Sequence, residues 1–321
     1  MARPRVIVTR RWPDKVEQAL QQRYRVELNE TDAALDPKAL RSAFQSADAV
    51  CPTVTDRVDA DVISDSSAKI IANYGVGFGH IDTDAARSEG MIVTNTPDVL
   101  TDCTADLALM LMLMTARRAG EGERELRNGQ WQGWRPTHLV GTRLSGKRLG
   151  VVGFGRIGRA VAERAHRGFG MEVLCYNRSA VPRDALAPSD ATATDDIETL
   201  FSESDFISIH CPGGADNAGL VGERLISRMQ SHAILINTAR GEVVDERALA
   251  AALKAGRIAA AGLDVYQYEP DVPAALIALN NVVLLPHLGS ATVETREAMG
   301  FRVVENLDAF FAGKEPPDRV V

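Results

Sequence analysis

The stretch LGVVGFGRIG, residues 149–158, limits what this chain can fold into more than any other. Its apolar start reads as a buried strand, its glycines as a turn, and the RAVAERAH that follows as a helix. The spacing is G-x-G-x-x-G at a strand-to-helix junction. Gly153 suits the tight turn, Gly155 lets a pyrophosphate approach the backbone, and Gly158 lets helix and strand pack closely. The helix start, at Arg156 and Ile157, offers N–H groups and a partial positive charge to phosphate. A parallel α/β domain around a dinucleotide is the first expectation.

The 321 residues leave room for a second domain, and the net charge of −7 argues against a nucleic-acid surface. No apolar run has membrane-spanning length, and residues 107–114 fall far short. The opening MARPRVIVTRRW enters a strand without a signal-peptide core. Cys51, Cys103, Cys175 and Cys211 are scattered, with no CxxC pair. They read as reduced cytoplasmic thiols, and no metal site is expected.

Upstream of the turn, apolar runs at 5–9, 47–51, 69–72 and 91–94 read as strands. Helical patterns separate them; Asp36-Pro37 opens one as N-cap and first helical residue. Alternating strands and helices mean a parallel sheet covered on both faces. The strand at 69–72 runs into NYGVGFGHID, whose alternate glycines expose backbone N–H groups at the carboxyl end of a sheet. Residues 101–118 read as a helix with a Leu/Met stripe, taken as core or subunit interface. Residues 129–146 read as irregular, with Trp131 and Trp134 forming a contact surface. Downstream, strands at 172–176, 205–210, 233–237, 259–265 and 282–285 complete a doubly wound sheet of about six strands. Asp245 caps a helix that Gly256 stops, and residues 293–311 form a long final helix.

Two further features carry chemistry. The strand after the glycine turn ends in Asn177-Arg178-Ser179, where NAD-binding versions place a carboxylate. Asn177 removes the repulsion a carboxylate would exert on a 2′-phosphate, while Arg178 and Ser179 offer donors to one. NADP(H) is therefore the preferred cofactor, with NAD(H) possible. Polar residues also recur at later strand ends: Arg240, Glu269 and His287. A guanidinium holds a 2-oxoacid carboxylate, an imidazole protonates the carbonyl oxygen as hydride arrives, and a carboxylate keeps that imidazole charged. A free imidazole is only about one-tenth protonated at pH 7.5, so such help matters.

The motifs VVGFGRIGRAVAERAHRGFGMEVLCYNRS, INTARGEVVDERAL, AAAGLDVYQYEP and LLPHLGSAT resemble, in order and spacing, those of the D-isomer-specific 2-hydroxyacid dehydrogenases. The resemblance covers essentially the whole chain. It implies two doubly wound parallel-sheet domains, with a Rossmann cofactor domain at 99–287 inserted in a flavodoxin-like substrate domain of residues 1–98 and 288–321. It implies that Arg240 binds substrate, that His287 is the acid/base and Glu269 its partner, and that backbone at Val76-Gly77 holds the substrate carboxylate. Thr104, Cys211, Pro212, Thr238, Ala239, Asp264 and Gly289 would line the cofactor, Asp264 near the nicotinamide amide. Ser290 and Trp134 would face substrate, Trp134 reaching the other subunit of a homodimer.

Within that family the NRS ending, the GVGFGHID loop and Trp134-Arg135-Pro136 resemble glyoxylate/hydroxypyruvate reductases, which implies a small-molecule 2-oxoacid substrate. Phosphoglycerate dehydrogenase and phosphite dehydrogenase stay open as alternatives. No regulatory domain is expected after Val321, unlike in many phosphoglycerate dehydrogenases, and formate dehydrogenases carry glutamine where this chain has Glu269. Dinucleotide-sensing corepressors of this fold, the non-enzyme alternative, would show appended disordered segments, which are not expected here. No nucleic acid and no membrane is expected as a partner.

Overall fold

Short apolar runs that end in polar turns become the strands of two parallel sheets. The computed structural model describes residues 3–321. They divide into two compact units, one made of the described residues up to Leu100 with Ala291–Val321, the other of Thr101–Ser290.

In the first unit β1 (Arg5–Val8), β2 (Arg25–Glu27), β3 (Ala49–Cys51), β4 (Ile70–Ala72) and β5 (Ile92–Thr94) lie in the order β2-β1-β3-β4-β5. All pairs are parallel, with Val6 opposite Ala49 and Ala49 opposite Ile70. This is the flavodoxin-like order. The helix Pro37–Ser46 starts as its sequence dictates: the Asp36 carboxylate accepts from the Ala39 amide and Pro37 occupies the first turn. Its Phe44 is fully buried with Ile63, Ile70 and Ile71, each such side chain contributing about 1.5–3 kcal/mol. The long helix Val293–Phe311 belongs to this unit and packs on the helix Asp14–Arg23. A Cβ at Gly300 would come within 2.6 Å of Val16 Cγ1, so the approach needs glycine.

In the second unit β6 (Arg148–Val152), β7 (Glu172–Tyr176), β8 (Thr192–Thr194), β9 (Phe206–Ile209), β10 (Ile234–Asn237), β11 (Ala260–Leu263) and β12 (Val282–Leu284) take the order β12-β11-β10-β9-β6-β7-β8. Seven parallel strands replace the expected six or so, because the polar edge strand β8 carries no apolar signature. Strands β9, β10 and β11 are buried throughout, as a sheet covered on both faces requires. The helix Thr101–Ala116 buries Leu111, Met112 and Thr115 and leaves Met110 and Leu113 partly exposed. The 129–146 stretch is irregular as expected, but a helix, Ala119–Arg127, precedes it. Among the described residues no helix is long and apolar enough to cross a membrane, and no acid, histidine and cysteine group could hold a metal ion.

Candidate active site

The order of strands places the expected catalytic residues side by side. Arg240 follows β10, Glu269 follows β11 and His287 follows β12, and these three strands are neighbours. His287 Nδ1 lies 2.7 Å from Glu269 Oε2. A carboxylate only accepts, so the ring N–H donates to it, leaving Nε2 for another partner. The second Glu269 oxygen accepts from the Tyr266 amide at 3.0 Å. Burial alone would push the Glu269 carboxyl up. The His287 bond and charge, the Tyr266 amide and the Arg240 charge outweigh it and hold the group below its ordinary value.

Burial pulls the Arg240 guanidinium below its ordinary range, against the charges of Glu269 and Glu242. Among the described residues its hydrogen bond runs from Nη1 to the Ala239 carbonyl at 2.6 Å. Among the described residues no carboxylate stands at ion-pair distance from it. A cation so placed has fork donors to spare for an incoming carboxylate.

The turns that carry these side chains are tied from behind by residues whose part the sequence did not reveal. Asn237 Nδ2 donates to the Arg240 carbonyl at 3.0 Å and its Oδ1 accepts from the Ala239 amide at 3.0 Å. Gly241 lies flat against the 266–267 backbone; a Cβ there would sit 1.9 Å from the Tyr266 carbonyl carbon. Glu246, a buried carboxylate, accepts from the Gln267 amide at 2.9 Å. Burial pushes its carboxyl up, with the Glu269 charge adding to the effect against the Gln267 bond.

Asp264 has no exposed surface. Its two oxygens accept from the Leu288 amide at 2.7 Å and the Gly289 amide at 2.8 Å, and its carbonyl accepts from the His287 amide at 2.8 Å. The Thr104 hydroxyl donates to the Gly289 carbonyl at 3.0 Å. Thr104, Asp264 and Gly289 thus form one hydrogen-bonded cluster, which holds His287 at φ +54°, a left-handed conformation that side chains rarely adopt. Burial raises the Asp264 carboxyl despite the amides and the nearby imidazole. Ser290 ends the unit just beyond this cluster.

At the glycine turn each position has a distinct geometric reason. Gly153 has φ +90°, and a Cβ there would lie 2.4 Å from the Cys211 amide nitrogen. A Cβ on Gly158 would meet the Gly153 carbonyl at 2.2 Å, whereas one on Gly155 would meet nothing within 4 Å. The turn therefore presents open backbone at Gly155, and no side chain caps the helix Arg156–Phe169 that begins there. Arg156 is exposed and Ile157 half-buried in its first turn. This cradle lies where β6 separates β7 from β9, the switch point at which dinucleotides bind.

At the end of β7, Asn177 Oδ1 accepts from the Phe154 amide at 3.1 Å and Nδ2 donates to Ser179 carbonyl and hydroxyl oxygens at 3.0 Å. Asn177 thus clips the NRS corner to the glycine turn, and a recess of about 260 Å³ opens there beside Arg159 and Ser179. Arg178 is exposed, and Pro212 accepts from Asn217 in the loop after β9. The Thr238 hydroxyl, past the end of β10, is buried and has no hydrogen-bond partner among the described residues.

In the smaller unit, Asn73 holds the carbonyls of Gly75 and Gly77, and Asn95 holds that of Val76. Their oxygens are taken, while the Val76 and Gly77 amides donate to no group among the described residues. Trp134 is 82 % exposed and Trp131 is 54 % exposed.

A parallel sheet with an open glycine cradle at its switch point, and a His–Glu pair beside an unpaired guanidinium at three adjoining strand ends, defines a dinucleotide-dependent oxidoreductase. Residues 109–289 match the model of the D-isomer specific 2-hydroxyacid dehydrogenase NAD binding domain. A glyoxylate reductase of Thermococcus litoralis is 45 % identical, over 99 % of this chain and 97 % of its own. One of Korarchaeum cryptofilum is 42 % identical, over 99 % and 96 %. Among solved structures, the NADPH-dependent glyoxylate/hydroxypyruvate reductase of Sinorhizobium meliloti, in complex with NADP and malonate, superposes with a TM-score of 0.89. It is 35 % identical and the match covers 100 % of this chain and 97 % of that one. The chain belongs to the D-isomer specific 2-hydroxyacid dehydrogenases, and it is an oxidoreductase.

Proposed function

We propose that this chain is an NADPH-preferring reductase of small 2-oxoacids, converting glyoxylate to glycolate and hydroxypyruvate to D-glycerate. The observation that carries the reading is the 2.7 Å His287–Glu269 pair next to Arg240, a half-buried cation with no carboxylate at ion-pair distance among the described residues. Arg240 receives the substrate carboxylate and polarises the carbonyl through its remaining donors. Val76 and Gly77, whose carbonyls are already held, are proposed to bind substrate through their amides. His287 Nε2 gives its proton to the carbonyl oxygen, and Glu269 stabilises the charged ring before that transfer. When bound, the reduced dinucleotide supplies hydride to C2. Names of relatives support the substrate class: the similar enzymes of Thermococcus litoralis and Sinorhizobium meliloti carry glyoxylate in theirs.

For the cofactor, Asn177, Arg178 and Ser179 support recognition of a 2′-phosphate, and Thr104, Gly153, Gly155, Arg156, Ile157, Gly158, Cys211, Pro212, Thr238, Ala239, Asp264 and Gly289 are proposed to line the rest. Thr104 and Asp264 act there through the 287–289 turn. We assign residues 99–287 to the cofactor domain and the remainder to the substrate domain. A cytoplasmic homodimer completes the proposal, with Trp134 reaching the partner's substrate and Ser290 lining its own; the exposed tryptophans support the first. The test is a panel of glyoxylate, hydroxypyruvate, D-3-phosphoglycerate and phosphite, each with the appropriate redox form of either cofactor. Turnover of the two oxoacids with NADPH, many-fold above the rest, is expected; a dominant rate with phosphoglycerate or phosphite refutes the reading.

A further inference from the structure

One contact at the corner after β7 is used neither by the glycine turn nor by the hydride chemistry. Arg178 Nη1 lies 3.1 Å from Oδ2 of Asp216 in the loop after β9, and the two side chains are 72 % and 79 % exposed. That loop is anchored on both sides of the aspartate: the Gly214 amide donates to Glu242 at 2.5 Å, and Asn217 Nδ2 donates to the Pro212 carbonyl at 2.9 Å. Asp216 is thus held opposite Arg178 by its backbone rather than by the ion pair.

We propose that Asp216 sets the strength of the preference for a 2′-phosphorylated dinucleotide, by placing a fixed negative charge beside the guanidinium that accepts that phosphate. The inference rests on the reading of Arg178 as the 2′-phosphate ligand. Two effects oppose each other. The pair orients Arg178 in advance, but so exposed a pair restrains its side chains weakly. The carboxylate also repels any anion that shares the guanidinium. A 2′-phosphate carries a charge of about −1.5 to −2. At a separation of about 6 Å in water the repulsion is worth about tenfold in affinity, reduced to about threefold by physiological salt. Repulsion therefore wins, and a neutral residue at position 216 strengthens binding of the phosphorylated form alone.

The probes are adenosine 2′,5′-bisphosphate and adenosine 5′-monophosphate, titrated calorimetrically into wild type, Asp216→Asn and Asp216→Glu, with no turnover involved. Wild type should bind the bisphosphate more tightly than the monophosphate. Asp216→Asn should tighten the bisphosphate by about three- to tenfold, leave the monophosphate unchanged, and lose its advantage as salt is raised. Asp216→Glu, which keeps the charge, should behave as wild type. An Asp216→Asn variant that binds the bisphosphate no better, or worse, overturns the role of Asp216 while leaving Arg178 in place. Equal binding of both probes by wild type overturns the 2′-phosphate reading itself, and this inference with it.

Discussion

Gly241→Ala probes the site without touching any group that reacts. The new Cβ would lie 1.9 Å from the Tyr266 carbonyl carbon, 2.2 Å from its oxygen and 2.3 Å from the Gln267 nitrogen, all backbone atoms. Against an ordinary contact of 3.4 Å the deficit is about 1.5 Å, and backbone cannot swing aside as a side chain can. The strand-end turn must retreat, and the Tyr266 amide carries Glu269 with it through their 3.0 Å bond. Overpacking of this kind costs about 1–3 kcal/mol, which lowers Tm by several degrees in a domain of about 190 residues. A displacement of about 1 Å in a positioned catalytic group costs about a hundredfold in rate. Gly241→Ala should therefore lose about two orders of magnitude in kcat/KM for glyoxylate while remaining folded by circular dichroism. Activity within about threefold of wild type with an unchanged Tm would refute the argument that the Gly241 contact positions Glu269.

Further substitutions separate the proposed roles. His287→Ala should cut turnover by about 10²–10⁴ while fluorescence titration shows cofactor binding intact; a loss of binding instead would make His287 structural. Arg240→Lys should mainly raise the apparent KM, because an ammonium lacks the planar fork, and a change confined to kcat would count against carboxylate binding. Arg178→Ala should weaken NADPH much more than NADH, and equal weakening of both would remove Arg178 from the 2′-phosphate site.

Where local chemistry decided structure, the sequence was readable. The Asp36-Pro37 start, the Asp245 cap and the Gly256 stop at φ +65° all stand where their residues placed them. Gly153 and Gly158 do too, since each answers a steric demand within a short span, whereas Gly155 leaves its backbone open. The apolar edge strands β5 and β12 were readable, but the polar ones were not. The residues of β2, Arg25–Glu27, and of β8, Thr192–Thr194, are largely exposed, so no apolar run marks them. The helix Ala119–Arg127 buries no residue and so lacks a core-facing stripe. The strand ends announced Arg240, Glu269 and His287, but not what holds them. Asp264 is 24 and 25 residues from the amides it accepts, and Glu246 reads in sequence as a helix-start acid. Such buried acceptors act through tertiary placement, which spacing along a chain does not encode.

The central claim is that Glu269 keeps His287 able to donate a proton. The carboxyl is held below its ordinary value of 4.5, so it is ionised throughout the neutral range. Glu269→Gln keeps a hydrogen-bonding side chain 2.7 Å from the ring but removes the charge that favours a protonated imidazole. The most direct measurement is the pH profile of the turnover number for glyoxylate and hydroxypyruvate reduction in wild type and Glu269→Gln. The account predicts that the alkaline limb, where rate is lost as the donor gives up its proton, moves to lower pH in the variant. Alkaline limbs that superimpose would contradict it, and the proton donor would have to be sought elsewhere.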